Sequence, residues 1–266
     1  MRRPAEVGWA LPPRYCVLLP LAVVLVGLLL VLQWRSLERD EFGELPDFAA
    51  IDHVPSMKRA FFRYMTPIIE HHNDVIRAQR ARLKALQQAG PPDELPDDEA
   101  RWLRQLSVRY ELPWQADTPP EGLLAALLLR VDTIPLPLAL AQAAKESGWG
   151  RSRFAVEGNN LFGQWCYTEG CGIVPANRST GARHELEVFP SVSEAMRRYM
   201  NNLNTHERYR EFRALRARLR REDEPMAGLK LARALIYYSE RREAYVKEIR
   251  SMIRQFRRML AESSAP

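Results

Sequence analysis

The segment LALAQAAKESGWG, residues 138–150, carries a carboxylate, Glu146, to the end of a small-residue apolar helix and then stops on Ser147, Gly148, Trp149 and Gly150. A half-buried carboxylate costs free energy unless its proton is put to use. Burial raises the pKa of such a group, and the negative pole at a helix C-terminus acts in the same direction. A carboxyl kept protonated near neutral pH is what a general acid needs to protonate a glycosidic oxygen. Ala139, Gln142 and Ala143 share its side of the helix, which leaves room for another group or a ligand to approach. Gly148 and Gly150 can leave the helix with positive φ, and Trp149 can pack beneath the turn. A solvated glutamate at a helix end would account for the same residues, so the neighbouring segment decides.

That segment is GRSRFAVEGNNLFGQW. Asn159 and Asn160 offer amide donors and acceptors for sugar hydroxyls and N-acetyl groups, and Phe162 and Trp165 offer flat faces for pyranose rings. The same residues also suit a turn held by Asx hydrogen bonds above aromatic core. Cys166 and Cys171 follow closely, and a local disulfide is expected between them. Zinc is not expected, because two thiolates need two further ligands and the five histidines show no matching spacing. His71 and His72 lie side by side in a helical run and read as surface residues. There is no phosphate-cradling glycine motif, and no cofactor or metal is expected.

The elements that must position these groups are mostly helical. Met57, Phe61, Met65, Ile68, Val75 and Ile76 recur at helical spacing in a run that Gly90, Pro91 and Pro92 end and that Pro67 is expected to bend. Asp97 or Asp98 can cap a further helix with Trp102, Leu103, Leu106 and Tyr110 on its apolar side. The apolar LLAALLLRV precedes IPLPLALAQAAKES, where Pro135 and Pro137 suit the approach and first turn of a helix. Between residues 151 and 190 the periodicity fades, and CGIVP and RHELEVF read as two short strands around the turn NRSTGA. SVSE from Ser191 is a capping-box pattern, and arginine-rich helices are expected around 207–220 and 225–260. Together these predict an α+β, mostly helical domain with a small β-hairpin lobe.

Upstream, residues 15–34 (YCVLLPLAVVLVGLLLVLQW) carry no charge over about 20 positions, the length that crosses a bilayer as a helix. Arg2, Arg3 and Arg14 precede the run, and Glu38, Asp40, Glu41, Glu44 and Asp47 follow it. The positive-inside rule therefore predicts a cytoplasmic stretch at 1–14, a transmembrane signal anchor at 15–34, and the bulk outside the membrane. A cleaved signal peptide is the competing reading, but no small-x-small site follows the run before Trp34. Cys16 sits too early for a lipoprotein box and reads as a small apolar residue in the span. Residues 35–120 read as a tether and helical spacer. The chain of 266 residues is 46% hydrophobic and 27% charged with net charge +6, which describes a globular, basic protein and excludes a disordered one. Arginine-rich stretches such as REFRALRARLRRE read as solvated helix faces, attracted to an anionic leaflet or wall rather than to nucleic acid.

The run ESGWGxSxxAxxxNNLFGxxC, from Glu146 to Cys166, resembles the N-acetylglucosaminidase domain of glycoside hydrolase family 73, and more closely its Bax-type members from Gram-negative bacteria. The likeness extends through LPDF, FFRYMTPII, RVDTIPLPLALAQAAKESGWGRSRFA, the paired cysteines and NNLNTHERYREFRALRA. It implies a lysozyme-like glucosaminidase domain over residues 121–260 that hydrolyses the β-1,4 bond after N-acetylglucosamine in peptidoglycan, held in the periplasm by the inner-membrane anchor, with a monomer expected. Glu146 matches the family's catalytic acid, and Tyr245 in YYSERREAYVKEI matches an active-site tyrosine, though core packing would also explain it. Many members place a second glutamate on the first hairpin strand, where CGIVPA has none, and Glu169 lies before it in the turn. Glu185 and Glu187 share one face of the second strand, and Glu185, beside His184, is the candidate base or charge stabiliser. Without a second carboxylate, the substrate's own N-acetyl carbonyl would serve as nucleophile, oriented by Tyr245. A lytic transglycosylase, which also sets a glutamate before a serine, and a non-catalytic glycan-binding or scaffold protein are the rival readings.

Overall fold

The apolar spacing after residue 53 becomes one helix, α1 (Val54–Ala89), which runs unbroken through Pro67. The computed structural model describes residues 41–89, 95–112, 120–176, 178 and 181–263. The expected cytoplasmic stretch, the membrane span and Cys16 lie outside the described residues. Among the described residues no helix is long and apolar enough to cross a membrane.

After α1 come α2 (Asp97–Arg109), α3 (Pro120–Arg130) and α4 (Leu136–Ser147), the helix that ends at Glu146 and Ser147. Neither Asp97 nor Asp98 caps α2: Pro96 holds the N-cap position, and Asp97, Asp98 and Glu99 occupy the first turn, where their charge meets the positive helix pole. For α4 the reading from the prolines holds, with Pro135 at the N-cap and Pro137 in the first turn. The helix closes on Gly148 at φ 58°, whose N–H bonds the Ala144 carbonyl.

A short helix α5 (Arg153–Gly158), capped by the Ser152 hydroxyl, leads into three short strands. These are β1 (Trp165–Cys166), β2 (Gly172–Ile173) and β3 (Glu185–Glu187), with β3 central and antiparallel to both neighbours. The expected hairpin is β2 with β3, and β1 is an addition that strand patterning does not reveal in a two-residue element. Gly172 is required there, because a Cβ at this position would meet the Leu186 carbonyl oxygen at 2.0 Å.

Ser191 caps α6 (Val192–Thr205) by accepting the Glu194 N–H at 3.1 Å, as the capping-box pattern predicts. The chain continues through α7 (Arg210–Arg221), α8 (Gly228–Leu231) and α9 (Arg242–Ser263). The single helix expected over 225–260 is therefore broken. A 3-10 turn at Ala232–Leu235 and a turn segment over 236–241 separate α8 from α9, and Arg242 sits at φ 44°.

The core forms where α1 and α9 both pack against α4. Ala139 and Ala143 are fully buried, so the small residues of α4 admit neighbouring helices rather than a ligand. Trp149 sits edge-on to Phe61 and Phe62 of α1 and Phe256 of α9, at centroid distances of 5.6, 5.7 and 5.9 Å. Each such aromatic pair is worth about 0.5–1.5 kcal/mol beyond its buried area. Trp149 thus ties the turn after Glu146 to both helices. Gly150 completes the turn at φ +74°, and a Cβ there would lie 2.7 Å from the Phe48 ring. The long helix read as a spacer lies in the same compact unit as the described residues that follow it.

Two expectations about surface residues are corrected. His72 is half-buried, with Nε2 2.9 Å from both the carbonyl and the hydroxyl oxygen of Ser193, and burial pushes its pKa down to about 4. Arg213 and Arg216 of α7 are buried rather than solvated. Arg216 bonds the carbonyls of Leu129, Arg130, Asp132 and Thr133 and stands with Arg80 and Arg220 around the buried Asp132 carboxylate. Asn73 closes the same loop from α1, donating to the Ile134 carbonyl at 2.9 Å and accepting the Ile134 N–H at 3.0 Å. This clamp fixes the stretch from which α4 starts.

Candidate active site

Glu146 opens onto a cleft of about 820 Å³ between the three-stranded sheet, α6 and the turn segment before α9. Its walls are aromatic: Phe162, Trp165, Tyr199, Tyr209, Tyr237 and Tyr238 all contribute. Flat apolar rings with polar edges are the surfaces that sugar rings stack on.

Burial raises the pKa of the Glu146 carboxyl, while a hydrogen bond from Tyr245 and the charge of Lys145 pull it partly back. One carboxyl oxygen, Oε1, is buried without a hydrogen-bond partner within the protein. A neutral carboxyl tolerates that environment far better than a carboxylate does. Ser147 serves the turn, donating to the Ala143 carbonyl at 2.6 Å and accepting the Gly150 N–H at 2.7 Å. Gly148, Trp149 and Gly150 all have positive φ, so three consecutive residues lead the chain sharply away and leave Glu146 at the helix end.

Tyr245 stands on α9, fully buried, and reaches Glu146 across the α4–α9 contact. It is both a core residue and a neighbour of Glu146. Its ring stacks on Tyr238 at 5.4 Å and 7°.

The remaining candidates divide. Trp165 stays 53% exposed on the cleft wall, one face stacked on His184 at 4.2 Å and 13°. Phe162 lines the cleft floor but is nearly buried, stacked on Tyr199 at 4.0 Å and 10°. Asn160 is engaged throughout: its amide donates to the carbonyls of Gln164 and Glu187, and its oxygen accepts from the N–H groups of Phe162 and Gln164. Asn159 donates to the Phe189 carbonyl at 3.0 Å from a left-handed C-cap position. Both asparagines therefore help build the turn, and the hydrogen-bonding capacity of Asn160 is spent on backbone rather than offered to a sugar.

Glu185 is corrected in the same way. It is 5% exposed, and its carboxylate accepts the N–H groups of Gly170 at 3.2 Å and Gly172 at 2.9 Å. Those amides flank Cys171, which is joined to Cys166 by a disulfide with Cα atoms 6.2 Å apart. Glu185 thus pins the disulfide loop, behind the strand that carries Trp165. Its sulfurs lie within 4.8 Å of the Glu185 carboxylate, but disulfide sulfurs are not thiolate ligands. Among the described residues, the other carboxylate on the cleft wall is Glu240, contributed by the break before α9. Sequence reasoning missed it because a continuous helix was expected there; the signal available was the run YYSERRE, with tyrosines beside the charge.

Residues 124–258 match the family described as mannosyl-glycoprotein endo-beta-N-acetylglucosaminidase. The chain is similar to Protein bax of Escherichia coli (strain K12), 34% identical over 219 residues, which cover 82% of this chain and 77% of that protein. No solved structure matches the chain.

Proposed function

Because the chain belongs to the glucosaminidase family of glycan hydrolases, we propose that it hydrolyses the β-1,4 bond after N-acetylglucosamine in peptidoglycan, with Glu146 as general acid. The observation that carries this reading is the Glu146 carboxyl, its pKa raised by burial, at a cleft walled by aromatic rings. Glu146 gives its proton to the bridging oxygen as the bond to the sugar C1 breaks. Water then bonds to C1, and its proton passes to Glu240, the carboxylate facing the cleft. Trp165 is the stacking surface for a sugar ring, and Phe162 supports the floor beneath it.

In this reading residues 15–34 hold the protein in the inner membrane, residues 1–14 remain cytoplasmic, and a monomeric catalytic domain with the lysozyme-like form implied by the resemblance works on glycan strands in the periplasm. The disulfide agrees with an oxidising compartment.

Digestion of purified peptidoglycan followed by mass spectrometry tests the linkage. Reducing N-acetylglucosamine ends are expected; anhydromuramic ends would assign the chain to the transglycosylase class, and no release would assign it to glycan binding. The anomer first formed, read by NMR, is expected to be inverted. Retention would move the second role from Glu240 to the substrate N-acetyl carbonyl. The activity also has a fixed sign with pH. The acid works only while protonated, so kcat/KM falls as pH rises through the raised Glu146 pKa, and the limb lies above the ordinary carboxylate range.

A further inference from the structure

Gln142 lies one helical turn before Glu146 on the same face of α4, fully buried among hydroxyls. The Tyr199 hydroxyl donates to Gln142 Oε1 at 2.6 Å, and Gln142 Nε2 donates to the Tyr245 hydroxyl oxygen at 3.0 Å. A primary amide has a donor end and an acceptor end in one plane, whereas a phenol has a single proton. Once the Tyr245 oxygen accepts from the amide, its own proton remains to be given, and the carboxyl to which Tyr245 is coupled is that of Glu146, one turn along α4 from Gln142. The chain of donors thus has a direction, Tyr199 to Gln142 to Tyr245, and it leaves the Tyr245 proton for the neighbouring Glu146.

We propose that Gln142 is a positioning residue for the reaction: it fixes the direction of the donor chain so that the Tyr245 proton faces the Glu146 carboxyl. The proposal rests on the reading of Glu146 as the acid. Tyr199 orients the amide, because its proton needs the Oε1 end. The planar stack of Tyr199 on Phe162 and of Tyr245 on Tyr238 holds both phenols in place. Without the Tyr199 proton the amide is free to turn over. Its oxygen would then take the Tyr245 proton, and Glu146 would lose its donor.

Other groups also bear on Glu146. Lys145 is its neighbour on α4 and favours the ionised form. Tyr209 and Tyr238 are coupled to it electrostatically, as Tyr199 and Tyr245 are. His206, Arg208, Glu240 and Arg242 complete the charged and titratable part of the wall. Substituting Gln142 by a neutral residue changes none of these charges.

The test is a 13C NMR titration of the Glu146 side-chain carboxyl in the full chain, alongside the pH profile of kcat/KM. Tyr245→Phe removes the donor and is expected to move the Glu146 midpoint to higher pH. Tyr199→Phe and Gln142→Leu are expected to move it the same way, by no more than Tyr245→Phe. Either of them combined with Tyr245→Phe should add nothing further. Tyr199→Phe preserves ring and volume, so the test stands even where Gln142→Leu folds poorly. A midpoint unmoved in Tyr199→Phe, or shifts that simply add in the double variants, overturns the proposal. Failure of the underlying reading looks different: the basic limb of kcat/KM would persist in Glu146→Gln.

Discussion

Glu146→Gln is expected to reduce peptidoglycan hydrolysis by about 10²–10⁴-fold, the usual contribution of a positioned general acid. The amide keeps the size of the side chain and can still accept from Tyr245, but it has no proton to give a leaving oxygen. The loss should fall on kcat rather than on KM, because the aromatic walls of the cleft are untouched. Turbidity loss of purified walls, with circular dichroism of the same sample, measures both halves of the statement. An unchanged rate would end the assignment.

The same substitution has a signature in stability. Glu146 has a raised folded-state pKa, so its favourable contribution is full below the ordinary carboxylate range and is lost as pH rises through the folded value. Glutamine is neutral throughout. The variant should therefore melt no lower than the parent at neutral pH, and the gap between them should close in acid. An inactive variant that is equally or more stable is the mark of a group held against its preference for the sake of chemistry.

The largest loss of stability is expected at Asp132, far from any chemistry. Burial pushes this carboxyl up, but the hydrogen bond from Arg220 and the charges of Arg216, Arg80 and Arg220 outweigh it and hold the group below its ordinary value. Asp132→Ala leaves the fully buried Arg216, whose own pKa burial lowers to about 10, without its counter-charge. Removing one partner of a buried charge cluster costs about 3–5 kcal/mol, or about 10 °C in Tm for a unit of this size. Thermal unfolding by circular dichroism checks it, and a shift under about 2 °C would show that the arginines need only their carbonyl partners. With the native carboxylate, this stabilisation is full above the ordinary Asp range and fades as pH falls through the depressed value.

The parts of this structure that sequence reveals are those governed by local rules. Pro135 and Gly148 mark the two ends of α4, Ser191 caps α6, and the turn residues between Arg151 and Pro190 announce the sheet. Glu146 stands out because a carboxylate at the end of an apolar helix is locally costly. Glu185 is misread for a related reason. Period two states which face of a strand a side chain takes, but not that the backbone amides of Gly170 and Gly172 will meet it there. The break before α9 contains neither proline nor glycine, and residues 236–241 have ordinary helical character. What the break does is tertiary: it sets Tyr238 on Tyr245 and turns Glu240 to the cleft. Arg213 and Arg216 mislead because arginine is rarely buried without a partner, and their partners are Asp132 and carbonyls about 80 residues away for Arg216, and the carbonyls of Leu203 and His206 at the end of α6 for Arg213.

The interruption between α8 and α9 has a consequence in time. Tyr238 and Glu240 reach the cleft from the segment between α8 and α9, about ninety residues after Glu146 in the chain. A growing polypeptide therefore carries Glu146 long before Glu240 and Tyr245 arrive. The cleft is therefore walled only once that later segment has been made and packed into place.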